Sequence, residues 1–263
     1  MWISRTFLLL ILYSVMGWAY ETVFCTLKDQ KWEKRGFLYG PLCPIYGFGA
    51  LAAVFVVNRV SCVSPLDDLP LWGVYLISVF GSAVLEYVTS WTLEKLFHAV
   101  WWDYADMPFN LHGRISLFTS CGFGVAGVLI VYAIAPATEN WVDQIPPLWT
   151  EALSLVCMAL FAADLTLTVS ALTDLANIVE QWEQMVNGRM ETLVDTAQQK
   201  TVEAKDRFAL EQAHLSRRLD GISKIRQMAF QRVRSLRYPK IEEARLNSLF
   251  SRLKNAIRSR WKK

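Results

Sequence analysis

Four polar residues step along one apolar stretch at intervals of four: Glu86, Ser90, Glu94 and His98. On a helix, four residues turn about 400°, so these side chains form a stripe that drifts by only about 40° per step. Two acids on one helical face can act as an acid and a base, line a polar path, or ligate a metal with His98 and Asp103. The spacing of Glu94, His98 and Asp103 matches no dedicated metal motif, so neither a metal nor a cofactor is expected. Glu21, Asp164 and Arg114 lie in or beside other apolar runs. An ionised group at mid-bilayer costs roughly 2.5–3.5 kcal/mol on insertion scales, so each must face protein or water. Arg114 can satisfy a carboxylate through two parallel hydrogen bonds, and Glu94 or Asp103 is the expected partner. Glu86 and Arg114 are expected to share one charge-balanced network, directly or through Glu94. Asp164 pairs with Thr168 at four residues and requires a further partner. The simpler account of all these groups is interhelical hydrogen bonding that fixes a bundle.

The elements that must position them are membrane-length helices. The chain has 263 residues, 53% of them hydrophobic. Apolar runs of about 20 residues suffice to cross a bilayer. Five are expected, at 6–27, 39–58, 71–97, 111–135 and 148–175. Residues 1–175 carry 8 Lys/Arg against 14 Asp/Glu, whereas 176–263 carry 19 against 10. This shift divides the chain into a transmembrane domain, 1–175, and a basic tail, 176–263. The first apolar run lacks a small-residue cleavage site and reads as an uncleaved span.

Lys28, Lys31, Lys34 and Arg35 crowd the first loop, while the fourth, around Glu139 and Asp143, has no base. Positive charge marks the cytoplasmic side, so the first loop and tail are expected inside and the N-terminus outside. Arg5 is then the discordant charge. The tail repeats apolar residues at three- and four-residue steps from Ile178 to Val194 and from Leu215 to Leu236. That pattern predicts a long, near-heptad cytoplasmic helix ending at Pro239, then a basic amphipathic helix over 246–257. Its apolar face must be covered, by the chain itself or by a second copy in a homodimer. The fold class is therefore all-α: a five-span bundle with a coiled-coil-like helical tail. Basic residues beside a membrane follow from topology, so no nucleic acid is implied.

One stretch resists a regular helix: Arg35-Gly-Phe-Leu-Tyr-Gly-Pro-Leu-Cys-Pro-Ile-Tyr-Gly47. Pro41 and Pro44 cannot both sit inside a helix without breaking backbone hydrogen bonds. Gly40, Pro41, Cys43, Pro44, Tyr46 and Gly47 thus form either an irregular wall covered by protein or a helix start with proline in its first turn. The five cysteines are odd in number and contain no CxxC, which points to buried free thiols.

Residues 1–175 resemble the bacterial membrane family called putative ABC-transporter type IV permeases. The resemblance is carried by Gly17-Trp18-x-x-Glu21, Arg35–Gly47, Glu86 with Glu94, Trp101-Trp-Asp-Tyr104, and Pro108-Phe-Asn-Leu-His-Gly-Arg114. It implies a multi-pass, permease-like protein of the bacterial inner membrane with an undefined substrate. It also implies a Trp-Gly pair where this chain has Phe123-Gly124. No GxxxxGK[ST] loop occurs, so any driving ATPase is a separate chain. The leading expectation is a transport component whose polar interior uses Glu21, Arg35, Glu86, Ser90, Glu94, Asp103, Asn110, Arg114 and Asp164. A non-transporting scaffold that recruits partners through its tail is the alternative, and a membrane enzyme a third. No catalytic residue is assigned, because no nucleophile elbow or HExxH supports that third reading.

Overall fold

A computed structural model describes residues 2–29, 36–63, 69–196, 233 and 235–236. Five helical segments are long and apolar enough to cross a membrane: Trp2–Leu27, Pro44–Ser61, Leu71–Phe97, Leu117–Asp143 and Pro147–Asp174. Their outward faces expose large apolar side chains such as Phe24, Phe55, Phe80 and Leu155. A water-soluble surface does not tolerate such continuous apolar area, but lipid does. The protein is an integral membrane helical bundle.

Helix α1 spans Trp2–Asp29, α2 Pro44–Val63 and α3 Leu71–Phe97. The α1–α2 seam is tight because Gly47 lies where a Cβ would meet Ser14 and the Leu10 carbonyl. The α3–α4 seam, with α4 at Leu117–Leu129, is tight for the same reason. Gly124 abuts Tyr75 and Val79, and Gly127 abuts Ser78. Small residues let helix backbones approach closely where no hydrophobic force drives helices together in lipid.

The second and fourth spans begin later than the sequence indicates. Residues 36–43 are irregular, and α2 starts at Pro44. Pro44 thus occupies a helix start, where its missing N–H costs nothing, while Pro41 lies in the irregular lead-in. Residues 110–116 form a hairpin, β2 (Asn110–Leu111) against β3 (Ile115–Ser116). Asn110–Leu111 and Ile115–Ser116 are each two residues long, as are β1 (Ala99–Val100) and β4 (Ser235–Leu236). These short pairs are the departures from an all-α fold among the described residues.

The fourth span also ends later. Pro136 does not terminate it, because a π turn at Ile130–Ile134 links α4 to α5, Ala135–Asp143. The wider turn lets the Ala135 amide reach the Ile130 carbonyl, so the helix continues past a proline that would break regular α-helix bonding. Beside this turn Leu9, Tyr13, Ala50 and Val142 form a core cluster, with Ile130 and Ile134 packed on it. The Tyr13 hydroxyl and Thr138 hydroxyl are 2.8 Å apart.

The discordant Arg5 finds its explanation here. Its guanidinium lies 2.7 Å from Asp143 and 3.8 Å from Glu139, so the N-terminus and the end of α5 share one face of the bundle. Helix α6 runs from Pro147 without interruption to Thr196, well beyond the Asp174 limit of the fifth span. The chain returns at β4, whose Leu236 and Ser235 pair antiparallel with Ala99 and Val100. Val233 beside it is fully buried. The tail therefore rejoins the end of the bundle where α3 finishes. The coiled-coil pattern at 178–194 and 215–236, the 246–257 helix and the tail dimer rest on side chains or segments outside the described residues. Of the described cysteines, Cys25, Cys43, Cys121 and Cys157 are free thiols, but only Cys43 is buried. The other three are partly exposed, and Cys121 lies against Tyr75 of α3.

An odd number of spans with this pairing makes a testable arrangement. Single cysteines at positions 33 and 240 should label from one side of a sealed vesicle, and those at 67 and 140 from the other. Labelling of 67 and 240 from the same side would overturn the five-span arrangement.

Candidate functional site

The lead-in to α2 runs back into the bundle instead of skirting it. The Cys43 amide donates to the Ser14 carbonyl at 3.0 Å, about half-way along α1. Leu38 and Cys43 are buried. Backbone amides at that depth require acceptors, since an unsatisfied one in hydrocarbon costs several kcal/mol. Asp164 of α6 supplies them. Its two oxygens accept the Tyr39 and Gly40 amides, each at 2.8 Å, and Thr168 donates to it at 3.4 Å. A side chain at Gly40 would place its Cβ 2.8 Å from the Asp164 carboxylate. Glycine is required there by proximity. The partner expected for Asp164 is thus a pair of main-chain amides, a fork that a sequence motif does not announce.

Two other recurrent-looking motifs dock on each other at this segment. Gly17 of α1 leaves room for the Tyr46 ring of α2, and any Cβ at Gly17 would overlap that ring. One turn further, Glu21 receives the Cys43 thiol at 3.5 Å, a long contact. The Tyr46 hydroxyl lies within electrostatic reach of Glu21, Cys43, Tyr104 and Tyr20. Phe123 of α4 packs on Tyr46 with ring centroids 6.1 Å apart, and Tyr20 does so at 6.5 Å. Phe123 is therefore a wall of this site. Lys28 and Arg35, the candidate counter-charges for Glu21, have side chains outside the described residues.

Residues 101–116 fold back along the last turns of α3. Tyr104 carries its hydroxyl to Glu86, donating to Oε1 at 3.2 Å. Glu86 is eleven residues before the end of α3, or about 16 Å at 1.5 Å per residue. Its side chain is 6% exposed, and Oε2 is buried with no hydrogen-bond partner. Ser90, on the same helix, is also buried. Arg114 meets Glu94 at 2.7 Å and donates to the Tyr87 hydroxyl at 3.3 Å, with its guanidinium 5.3 Å from that ring centroid. Burial works against the Arg114 charge, but the Glu94 bond and charge, with Tyr87, raise its pKa overall. Arg114 and Glu86 do not touch. The loop backbone joins them instead, since the Tyr104 amide donates to the carbonyl of Gly113 at 2.8 Å.

Asp103 and Asn110 build the loop. Asp103 accepts the Ala105 amide at 2.9 Å and does not reach Arg114. Asn110 donates to the Ala105 and Met107 carbonyls and accepts the Gly113 amide at 3.1 Å. Gly113 has φ +68°, and a Cβ there would sit 2.6 Å from Asp103. His98 closes α3 in a left-handed conformation with φ 50°. Phe97, Trp101 and Phe37 form an aromatic cluster beneath, with centroids 5.5–6.4 Å apart. No group of three or more metal-ligating side chains forms among the described residues. The sequence motifs did not single out Tyr104 as the partner of Glu86 or Tyr87 as that of Arg114. Only a loop folded against α3 brings them there.

The segments so joined are those that carried the resemblance, and a family comparison extends over them. Residues 8–169, more than half the chain, match the family described as "Putative ABC-transporter type IV". The chain belongs to this family. No curated protein and no solved structure matches it. The family match covers all five spans up to the Asp164–Thr168 pair and stops before the tail.

Two stability predictions follow from this geometry. Asp164→Ala removes the acceptor of two amides and should lower unfolding stability in mixed micelles by about 3 kcal/mol, a charge-assisted hydrogen bond being worth roughly 1.5–3. Loss of less than about 1 kcal/mol would mean the lead-in finds other acceptors. Arg114→Ala removes the guanidinium from the partly buried Glu94 and from Tyr87, and should cost roughly 2–4 kcal/mol. Adding Glu94→Gln to that variant should recover part of the loss, and strict additivity in the double-mutant cycle would count against the pair.

Proposed function

We propose that this chain is the permease-like subunit of a membrane transporter of the bacterial inner membrane, with Glu86 at its intramembrane site. The carrying observation is the Glu86 carboxylate, held well inside a span with one oxygen unpartnered. A buried carboxylate that fixes helix packing commonly has hydrogen-bond partners on both oxygens. Tyr104 brings the loop to Glu86, and Tyr46, with Glu21 and Cys43 near it, lies within electrostatic reach of Tyr104. Irregular backbone at 36–43 and 101–116 borders it, as in spanning proteins where broken helices line a cavity. The family description supports a transporter component, and energy would come from a separate ATPase chain. Orientation follows the positive charges: N-terminus outside, first loop and tail in the cytoplasm.

The competing scaffold reading draws on α6, which projects as unbroken helix from Asp174 to Thr196. Such a stalk could recruit a partner or pair two copies without any passage through the bundle. The two readings differ in whether water reaches the interior. With the native cysteines replaced, Ser90→Cys places a thiol one turn from Glu86 and leaves the carboxylate intact. A membrane-impermeant thiosulfonate should modify it from each face of oriented vesicles, in proportions that shift with the state of the energy source. Absence of modification from both faces would favour the sealed scaffold.

A further inference from the structure

Charge balance separates Glu86 from Asp164 and Glu94. Asp164 holds two backbone amides, and Glu94 holds Arg114. Glu86 receives only the neutral Tyr104 hydroxyl, on one oxygen. Its other oxygen is buried and bare. The groups that surround the site are themselves anionic or neutral. Tyr104 comes from the loop, and Tyr46 lies within electrostatic reach of Tyr104. On its own helix Tyr87 and Glu94 are occupied by Arg114, the loop's one arginine. On α4, Cys121 lies at Tyr75 instead, three turns away. Among the described residues no Lys, Arg or His contacts Glu86.

We propose that Glu86 anchors a binding site for a cation that donates hydrogen bonds, either a proton or the ammonium group of an amine. An acceptor-only carboxylate out of water requires a donor, and the bare Oε2 specifies where that donor sits. The sign of the site therefore excludes an anionic ligand such as a carboxylate or phosphate. The proposal names the charge of what the transport reading would carry. It rests on that reading for passage but not for binding, so a sealed bundle with the same site would still bind the cation.

The test uses the purified full-length chain in nanodiscs and two probes. Melting temperature is followed with ethylammonium chloride against equal sodium chloride at pH 8, and separately on acidification from pH 8 to pH 6. A rise with ethylammonium identifies an amine site, and a rise with acid alone identifies a proton site. Either supports the proposal if Glu86→Gln abolishes it. The same response in wild type and Glu86→Gln, or no response of the wild type to either probe, overturns it. Tyr104→Phe guards against a misfolded Glu86→Gln protein. It removes the donor that now shares the carboxylate's charge, and should tighten cation binding severalfold, whereas an unchanged midpoint would again overturn the proposal. Cation binding without thiol access at position 90 would reject transport but keep the site. Access without binding would do the reverse.

Discussion

Main-chain amides inside hydrocarbon must find acceptors, and the Asp164 fork on Tyr39 and Gly40 meets that constraint where this fold most needs it. Without it the lead-in at 36–43 could not run into the bundle. Pro41 and Pro44 prevent that segment from becoming helix, so its amides cannot be satisfied locally. With the fork in place, Cys43 is carried to Glu21 and Tyr46 is seated over Gly17. A single acid on α6 thereby organises the contact of α1 with α2. Its cost as a buried charge is offset by two charge-assisted bonds, and those bonds fix its orientation.

The loop between α3 and α4 solves a related problem by a different means. It is a short hairpin whose own polar side chains, Asp103 and Asn110, close its turns. That internal bonding frees Arg114 and Tyr104 to point along α3. Arg114 then neutralises Glu94 near the end of the helix, while Tyr104 reaches the deeper Glu86. The two acids of one stripe end in opposite electrostatic states because the loop carries one guanidinium and one phenol to successive depths. Strand β1, four residues from Tyr104, is also the strand on which β4 docks. The returning tail thus braces the segment that covers the intramembrane carboxylate.

Much of this was legible in the residues, for reasons of length and charge. Five apolar runs cannot be buried in a chain this size except in lipid, and the acids within them had to face inward. Arg114 required a carboxylate, with Glu94 or Asp103 open as its partner, and the structure pairs it with Glu94. Less was legible where backbone groups were the partners. Asp164 bonds amides that every residue possesses, so no residue type betrays them. The end of the fourth span was misplaced for a comparable reason, since a π turn absorbs Pro136 and leaves no compositional trace.

By itself, the sequence determined that the chain spans a membrane, where its helices lie and which charges cannot be left alone. Those are consequences of transfer free energy, which depends on residue type and run length. Only the tertiary structure decided which groups are satisfied and which are not. The arrangement turns on the placement of a few donors. Two amides go to Asp164, a guanidinium to Glu94 and a single hydroxyl to Glu86. That last shortfall of one donor on a buried oxygen arises because the loop backbone sets Tyr104 against Oε1 and nothing against Oε2.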